Sequence, residues 1–369
     1  MEMPIKVALV HDWLVGMRGG EKVLETLCRL FPHATLFTLV HRDGSVSPVI
    51  ERMNIRTSFI QHLPFGQSHY RHYLPLFPVA ANRLDARDFD LVISSSHAAA
   101  KSVRTKKGSL HICYCHTPMR YIWDQYDQYF GRGRASLPAR LAMKIFTPHL
   151  RAWDVETATR VTHFIANSHN VQERIKRIYN RDSVVIHPPV DVQRFSVSGK
   201  DDAYYLMVSA LVPYKRIDLA IEAFNRLGKR LIIVGSGGEE QKLKALAKRN
   251  IEFAGWVSED ALPGYYAGCH ALVFPGEEDF GIVPLEAMAS GKPVVAFGKG
   301  GALETVVDPH AGVLFKEQSV ESLEQAVKRL DGLTFDNNAL RAHAQQFDRS
   351  IFEQKIAQFV REQVDRHIR

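Results

Sequence analysis

The sequence predicts an α/β protein with two domains, each built on a mostly parallel sheet. At 369 residues the chain is longer than one ordinary core requires, and at about 100–200 residues per domain it has room for two. Short apolar runs alternate with longer amphipathic runs along nearly all of it, which is typical of strand–helix–strand units with parallel strands. Paired prolines near the middle divide this alternation into two halves.

The N-terminal half contains six predicted strands and five predicted helices. The strands lie near residues 5–10, 34–40, 55–60, 90–95, 109–115 and 162–167. The helices lie near 20–30, 68–82, 119–129, 138–160 and 169–180. Helices of this length are the crossovers that parallel strands need.

The C-terminal half repeats the alternation. Strands are predicted near 204–210, 230–235, 251–254, 271–275, 293–297 and 312–315, and helices near 216–227, 238–249, 258–267, 283–290, 302–307 and 318–330. Pro188 and Pro189, followed by a polar run, predict the boundary because paired prolines stop regular structure. The predicted domains are residues 1–195 and 196–335. Residues 336–369 predict two helices that pack back on the N-terminal domain through an apolar stripe of Phe347, Phe352, Ile356, Phe359 and Val360.

Composition is that of a soluble globular protein, with 46% hydrophobic and 24% charged residues. No stretch is apolar for the roughly 18–20 residues of a membrane span, and no basic leader precedes an apolar run. We therefore expect a cytoplasmic protein. Its four cysteines, Cys28, Cys113, Cys115 and Cys269, lack the spacing of a zinc site and are interpreted as small core residues.

The chain carries 47 Lys and Arg against 40 Asp and Glu, for a net charge of +7. This excess suits an anionic partner, which is a phosphate ligand, an acidic membrane surface or nucleic acid. The cations do not alternate with aromatic residues in any recognised nucleic-acid-binding module, so nucleic acid ranks last.

A glycine-rich turn follows the first predicted strand. Gly19 and Gly20 stand just before the first amphipathic helix. Glycine there lets backbone amides and the positive helix end approach a phosphate or a sugar hydroxyl without obstruction by Cβ. The pattern is not G-x-G-x-x-G, so a plain flexible turn explains it as well.

The segment CHTPMRYIWD, residues 115–124, continues the fifth predicted strand at its carboxyl end, where open parallel sheets bind ligands. His116 can hydrogen-bond a sugar hydroxyl there, and a structural histidine is the alternative. Arg120 and Asp124 join the two glycines as candidates for an acceptor or phosphate loop. Ordinary helix-surface positions explain these two residues equally well.

Two adjacent cations, Lys215 and Arg216, precede the helix predicted from residue 217. Cations at a helix start oppose the helix dipole, which argues that an anion offsets them, although a solvated turn also fits. Gly235 opens another amide-rich turn, of sequence GSGG, after the next strand.

The acidic turn GEEDFGIVPLE, residues 276–286, is the most informative stretch. Gly281 and the amides after it are expected to face a nucleotide diphosphate at a helix start, with Glu286 accepting hydrogen bonds from ribose hydroxyls and Glu278 facing the sugar. The alternatives are a helix-capping carboxylate at the third helical position for Glu286 and a solvated acidic turn for Glu278.

The sequence Asp88-Phe89-Asp90 matches the D-x-D pattern by which some sugar transferases hold a metal. It precedes a strand rather than following one, so it does not stand at the strand end where further ligands or substrate phosphates would complete a metal site. We therefore expect no metal site there.

Together these residues resemble the retaining glycosyltransferases of family 4, whose fold is two Rossmann-like domains facing across a cleft, the GT-B type. The most specific element is the family's E-x7-E pattern, seen as Glu278 and Glu286 within EDFGIVPLEAMASGKPVVA. The resemblance implies that Glu286 holds the donor ribose and Glu278 the donor hexose. It also implies backbone contacts from Phe280, Gly281 and Ile282, and a diphosphate contact from Lys215.

The family commonly has an arginine five residues before this lysine, where the present chain has Ala210; Arg216 is the candidate substitute. The segment HTPMRYIWD is similar to one in bacterial mannosyltransferases of O-antigen and exopolysaccharide assembly. By that likeness His116 contacts the donor sugar, and Gly19 and Gly20 lie under the diphosphate and acceptor.

The resemblance implies transfer of a hexose, favouring mannose from GDP-mannose, to a glycan or lipid-linked acceptor in surface polysaccharide synthesis. No divalent metal is expected, because Lys215, Arg216 and the helix end near Gly281 can supply the charge stabilisation that a metal gives other sugar transferases. A nucleotide-sugar epimerase and a non-catalytic nucleotide-sugar-binding subunit are the alternatives. The aromatic stretch between residues 59 and 77, followed by Lys101, Arg104, Lys106 and Lys107, could rest on an anionic membrane leaflet and reach a lipid-linked acceptor. Core aromatics with solvated charges are the alternative.

Overall fold

The structure, a computed structural model, describes residues 5–131 and 136–368. These residues form two compact units. The first runs to Pro189 and resumes at Phe352, and the second is Val190–Ile351. The division falls at Pro189 rather than at residue 195, and the chain returns to the first unit at Phe352 rather than at residue 336.

The first unit is a seven-stranded sheet with helical crossovers. Its elements in chain order are β1 (Val7–His11), α1 (Gly19–Leu30), β2 (Thr35–Thr38), α2 (Pro48–Glu51), β3 (Asn54–Thr57), α3 (Phe77–Arg83), β4 (Leu91–Ser96), β5 (Leu110–Cys115), α4 (Tyr126–Phe130), α5 (Leu137–Ala158), β6 (His163–Ala166), α6 (His169–Tyr179) and β7 (Ser183–Val185). Its 3₁₀ helices are Phe59–His62, Tyr70–Leu76 and Ala100–Ser102.

The second unit contains a six-stranded sheet. Its elements are β8 (Tyr204–Val208), α7 (Ile217–Leu227), β9 (Arg230–Val234), α8 (Glu240–Leu246), β10 (Ile251–Gly255), α9 (Leu262–Gly268), β11 (Ala271–Phe274), α10 (Ile282–Ala289), β12 (Val294–Phe297), α11 (Ala302–Thr305), β13 (Gly312–Phe315), α12 (Val320–Asp331) and α13 (Asn337–Gln345). Its 3₁₀ helices are Val192–Arg194 and Pro213–Lys215, and α14 (Arg349–Ile368) carries the chain back to the first unit.

Both sheets are parallel and share one strand order. The first is β3-β2-β1-β4-β5-β6-β7 and the second is β10-β9-β8-β11-β12-β13. In each, the chain adds strands in one direction from the central strand and then reverses, so a switch point lies between β1 and β4 and another between β8 and β11. This is the Rossmann-like order, in which ligands bind at the carboxyl ends of the strands at the switch point. The predicted fold of two Rossmann-like domains is confirmed.

Every position of β4 and β5 is buried, as expected for parallel strands covered by helices on both faces. Leu9 and Val10 pack into separate clusters on opposite faces of the first sheet. On one of these faces Phe352 of α14 packs edge to face on Tyr114, with ring centroids 5.7 Å apart. Ile356 and Val360, one and two turns on, are buried in the same cluster.

Several elements differ from their prediction. The short α2 and β7 were not predicted, because four and three residues are too few for a periodic signal. The helix expected over 68–82 is a 3₁₀ helix containing Pro75, followed by α3, since proline removes an intrahelical hydrogen bond. The helix expected over 119–129 forms only as α4.

The surface expected to rest on a membrane, in residues 59–77 and 101–107, is partly buried. The side chains of Tyr70, Leu74 and Phe77 are buried in the core of the first unit. Lys101 is also buried; its Nζ lies 2.9 Å from Asp154 Oδ1 and donates to the Asp154 carbonyl oxygen at 2.8 Å. A charge so placed must be paired, and Asp154 pairs it. The four cysteines are free and buried, and no helix in the described ranges is both long and apolar enough to cross a bilayer.

His111 on β5 makes the first unit sensitive to acid. Burial, with a smaller contribution from Lys101, lowers its pKa to about 3. The unfolded chain therefore binds this proton more readily, so stability is full above the ordinary histidine pKa and is lost as pH falls below it. Between pH 7 and pH 5 the free energy of unfolding should fall by about 2 kcal/mol on this account.

Urea unfolding at the two pH values measures this loss. His111→Gln keeps a polar group near the Ser94 hydroxyl, which lies 2.9 Å from His111 Nε2, and removes the titration. The variant should lose about 2 kcal/mol less than the wild type over this interval. Equal losses in both proteins would show that His111 is not the acid-sensitive group.

Candidate functional site

The carboxyl edge of the second sheet brings together a lysine and a glutamate from two different loops. Lys215 ends the 3₁₀ helix after β8, and Glu278 lies in the loop after β11, the neighbouring strand at the switch point. Lys215 Nζ forms an ion pair with Glu278 Oε1. The side chains are only 21% and 13% exposed, so the pair is poorly screened by water.

Glycines allow the loops at this edge to pack backbone against backbone. A Cβ on Gly276 would lie 3.0 Å from Lys215 Cα. Gly235, at φ +133°, lies so close to the Ser209 carbonyl oxygen that any side chain would overlap it. The loop after β9 therefore supports the loop after β8, which carries Lys215 against the acidic turn.

Helix α10 begins directly after that turn. The N-cap residue, Gly281, has φ +95°, a conformation that favours glycine. The first helical residue is Ile282, so the amides at this helix start are available to an anion. The Phe280 ring is buried against Phe347, with centroids 5.7 Å apart, which leaves only the Phe280 backbone to meet a ligand.

Glu286 is a buried carboxylate on α10, 5% exposed. Tyr266 donates its hydroxyl hydrogen to Glu286 Oε2 at 2.8 Å. Burial, and then the Glu286 carboxylate, raise the pKa of Tyr266 well above its ordinary value, so the phenol remains a donor. The capping alternative is wrong, because α10 starts at Ile282 and its third position is Pro284.

Arg216 follows Lys215, but its guanidinium contacts Asp218 and Gln318. Its backbone is left-handed, with φ +53°, at the start of α7. Its Nε lies 3.3 Å from Asp218 Oδ1, and its Nη1 3.4 Å from Gln318 Oε1. Gln318 in turn donates to the Pro275 carbonyl oxygen at 2.8 Å, where the acidic turn begins. The anion that offsets Arg216 in this structure is thus its own neighbour Asp218.

The carboxyl edge of the first sheet gathers histidines from three strands. His11 ends β1, and His116 follows β5. Ser95 of β4 lies between them, with its Oγ 3.1 Å from His11 Nδ1 and 2.8 Å from His116 Nε2. His97 completes a triangle of imidazoles whose centroids are 6.1–6.5 Å apart.

Asp12 anchors the loop after β4 from beneath. Its fully buried carboxylate accepts four backbone N–H groups at 2.6–3.0 Å, from His97, Ala98, Ala99 and Ala100. His97 Nδ1 lies 3.0 Å from the same carboxylate. Burial lowers the pKa of His97 by more than Asp12 raises it. The carboxylate therefore shapes the edge of the site from within the protein.

The start of α1 closes the histidine cluster on one side. A Cβ on Gly20 would lie 3.5 Å from His11 Cε1 and 3.7 Å from His116 Nε2, so glycine keeps this approach open. Glu21 is buried, with Oε1 3.6 Å from His11 Nε2. Burial alone would raise the pKa of Glu21, but His11 and then His97 outweigh it and lower that pKa.

The other predicted residues of this edge are placed as follows. Gly19 is the first residue of α1. Arg120 is half-buried. Burial, then His97 and His11, and last the charge of Arg120 lower the pKa of His116 well below its ordinary value. Asp124 lies 2.7 Å from Arg177 Nη2 and 3.4 Å from Arg174 Nε on α6, so its carboxylate is engaged in ion pairs.

The D-x-D segment lies at the amino end of β4, on the edge away from the histidines. Lys6 donates its backbone N–H to Asp90 Oδ2 at 3.1 Å, and Lys106 Nζ donates to Oδ1 at 2.7 Å. Within residues 5–131 and 136–368, no cluster of three or more His, Cys, Asp or Glu side chains has the geometry to hold a metal ion.

Sequence reasoning missed the residues that support the predicted ones. His11, Asp12, Glu21, Ser95 and Tyr266 all contact a predicted site residue or its immediate partner. Polar residues directly after buried strands, as in the runs VHD and ISSSH, were the available signal, because parallel strands present their carboxyl ends at one edge.

Family models match the two units in succession. Residues 17–194 match the model Glycosyltransferase Family 4, and residues 191–345 match Glycosyl transferases group 1. The junction of the two matches coincides with the division of the structure near Pro189.

Two curated relatives illustrate the similarity. The chain is 34% identical over 141 residues to a GDP-mannose-dependent alpha-(1-6)-phosphatidylinositol monomannoside mannosyltransferase of Mycobacterium tuberculosis, covering 33% of this chain and 37% of the relative. It is 28% identical over 202 residues to the O-antigen chain mannosyltransferase RfbU of Salmonella typhimurium, covering 48% and 57%. The chain thus spans about half the length, or less, of these relatives.

Solved structures share the fold over nearly the whole chain. The Anabaena protein HepE, in complex with UDP and glucose, matches with a TM-score of 0.70 at 20% identity, covering 96% of this chain and 99% of that one. The lipopolysaccharide outer core galactosyltransferase WaaB matches with a TM-score of 0.65 at 16% identity, covering 97% and 100%. At such identities the likeness establishes the GT-B fold.

Proposed function

This chain carries the two domains of the family 4 and group 1 glycosyltransferases, and from that premise we propose that it transfers a hexose from a nucleotide sugar to an acceptor with retention of configuration. The single observation that carries the proposal is the ion pair between Lys215 and Glu278 beside the start of α10. It places a cation and a carboxylate at one switch point, beside the start of α10.

We place the donor at this edge of the second unit. The diphosphate binds the amides from Gly281 onward and the Lys215 ammonium, because both carry positive charge at the end of the sheet. Glu286, held by Tyr266, receives the ribose hydroxyls. Arg216 adds to this charge only if its guanidinium leaves Asp218, which is 3.3 Å away. Gly235 has no side chain to obstruct the close approach of its loop to the loop after β8.

The chemical step breaks the bond between the anomeric carbon and the diphosphate oxygen and forms one from that carbon to the acceptor oxygen, while the acceptor hydroxyl proton passes to the leaving diphosphate. The leaving diphosphate gains negative charge while the sugar becomes oxocarbenium-like. Lys215 and the start of α10 stabilise the negative charge on the leaving diphosphate. The Glu278 carboxylate lies where it can face the oxocarbenium-like sugar. We propose that no divalent metal is needed, since these groups supply the charge stabilisation that a metal gives other transferases.

The acceptor side is proposed to be the histidine edge of the first unit. His116 offers a neutral imidazole to a sugar hydroxyl, and Gly20 leaves room beside it. Gly19 and Arg120 extend the same edge. Asp124 acts through its ion pairs with Arg174 and Arg177 rather than as a direct ligand.

Mannose from GDP-mannose is the proposed donor, and a lipid-linked or glycan acceptor in surface polysaccharide synthesis the proposed target. Both mannosyltransferase relatives support this choice. The UDP and glucose in the HepE complex make UDP-hexoses the second choice. The named relatives are transferases, which favours transfer over an epimerase or a non-catalytic binding subunit.

Glu278→Gln tests the assignment. The variant removes the negative charge beside Lys215 while keeping the shape of the side chain. Nucleoside diphosphate release from GDP-mannose and from UDP-hexoses, with lipid-linked oligosaccharide as acceptor, should fall at least about tenfold in kcat, the size of losing ~1.4 kcal/mol at the transition state. Wild-type activity should survive excess chelator.

Glu277→Gln is the matched control, because Glu277 is the preceding residue and pairs instead with Lys299 at 3.1 Å. It should retain wild-type turnover. Equal rates in the wild type and Glu278→Gln would reject the site. Release of free sugar without glycosylation of the acceptor would indicate epimerisation. Activity that is lost in chelator and restored by manganese would reject the metal-free proposal.

We propose that the first unit rests on an anionic membrane through α5 rather than through residues 59–77. Leu137, Leu141 and Ile145 are 63%, 55% and 65% exposed and recur every four residues, so they form one outward stripe. Exposed Lys144 lies beside the stripe. An apolar helix face flanked by a cation fits a bilayer surface with anionic headgroups.

Co-sedimentation with vesicles containing anionic phospholipid at low salt measures this contact. The double variant Leu141→Ser, Ile145→Ser should lower vesicle partitioning by about tenfold or more, because each buried apolar side chain contributes roughly 1–3 kcal/mol. Leu246→Ser alters an exposed leucine of the second unit and should bind as the wild type does. A wild type that stays in the supernatant would contradict the proposal.

A further inference from the structure

Four side chains of the first unit form a line from a buried carboxylate to His116. Glu21 Oε1 lies 3.6 Å from His11 Nε2. On the other side of that ring, His11 Nδ1 lies 3.1 Å from Ser95 Oγ, which lies 2.8 Å from His116 Nε2. Glu21, His11 and Ser95 are buried, so water does not substitute for their contacts.

The position of the His11 proton follows from its surroundings. His11 Nε2 is buried without a hydrogen bond to any group of the described chain, and Glu21 is its nearest charge. The other Glu21 oxygen, Oε2, accepts the backbone N–H of Arg18 at 3.0 Å. A nitrogen lone pair facing this carboxylate would be repelled, whereas an N–H is attracted. His11 therefore carries a proton on Nε2, and its Nδ1 is an acceptor when the ring is neutral.

The Ser95 hydroxyl has one hydrogen to donate, so its bond to His11 determines the direction of its hydrogen bond with His116. It donates to His11 Nδ1, so its oxygen accepts from His116, and the His116 proton lies on Nε2. His116 is neutral, since burial lowers its pKa well below its ordinary value. Among the described residues no group hydrogen-bonds His116 Nδ1, whose lone pair is left for a ligand.

We propose that Glu21 is a positioning residue that acts through His11 and Ser95 to hold His116 as the Nε2–H tautomer, so that His116 Nδ1 accepts a hydrogen bond from a substrate hydroxyl. This rests on the proposed function for the identity of that substrate as a sugar. It specifies that His116 recognises a hydroxyl donor rather than a phosphate oxygen, because an unprotonated nitrogen repels an anion.

Glu21→Gln should reverse the direction of the hydrogen bonds along this line of side chains. A glutamine side chain has a single acceptor oxygen, and the Arg18 N–H occupies it, so the amide NH₂ faces His11 Nε2. His11 then carries its proton on Nδ1 and donates to Ser95, and Ser95 donates to His116 Nε2. His116 becomes the Nδ1–H tautomer and can no longer accept a hydroxyl hydrogen.

Histidine-selective ¹⁵N labelling and long-range proton–nitrogen NMR of the ligand-free full chain read the tautomer directly. We expect a protonated Nε2 at His116 in the wild type and a protonated Nδ1 in Glu21→Gln. Ser95→Ala should abolish the single tautomer, and Ser95→Thr, which keeps a hydroxyl, should restore it. Glu25→Gln, one turn along α1 and paired with Arg29 at 2.7 Å, is the matched control and should give the wild-type spectrum.

Transfer kinetics then connect the tautomer to function. Glu21→Gln and Ser95→Ala should each lower kcat by about tenfold, whereas Ser95→Thr and Glu25→Gln should not. The proposal would be overturned, whatever the transfer rates, if His116 carries its proton on Nδ1 in the wild type. It would also be overturned if the His116 tautomer is the same in the wild type and in Glu21→Gln. If instead the tautomers behave as expected and His116→Ala transfers normally, the relay stands and the assignment of His116 to the substrate site fails.

Discussion

The reversal of strand order at the centre of each sheet is the constraint on which the rest of the structure depends. At β1 and β4, and again at β8 and β11, two neighbouring strands send their chains to opposite sides of the sheet. Their loops diverge and leave the carboxyl edge open to a ligand. Lys215 with Glu278, and His11 with Ser95, meet at these two places although each pair is far apart in sequence.

The polar groups at these edges are held by backbone contacts and by partial burial. Gly235 and Gly276 bring neighbouring loops into backbone contact, so the Lys215 loop has little freedom to move independently. Asp12 binds four N–H groups at once, which fixes the loop that carries His97. A charge in such surroundings is costly to leave unpaired, and the Lys215 ammonium is paired with Glu278.

The sequence was sufficient for the fold, and it supplied candidates for the site that stay predictions. Strand and helix periods, with the paired prolines, predicted twelve of the strands and both units, because buried parallel strands are apolar throughout. Glu278, Glu286 and Lys215 were predicted from their positions after strands together with the resemblance to family 4. Their pairing, and the roles of Ser95 and Tyr266, depend on contacts between distant segments that no local pattern encodes. Lys101 was misassigned to the surface for the same reason, since its partner Asp154 is remote in sequence.

Calorimetric titration with GDP and UDP tests the central claim, that the β8 and β11 edge holds the donor diphosphate. The wild type should bind at least one of them, and Lys215→Ala should weaken that binding about tenfold or more, the loss of ~1.4 kcal/mol. Lys242→Ala removes an exposed cation of α8 in the same unit and should bind as the wild type does. Equal affinity of the wild type and Lys215→Ala for the nucleotide would contradict the account.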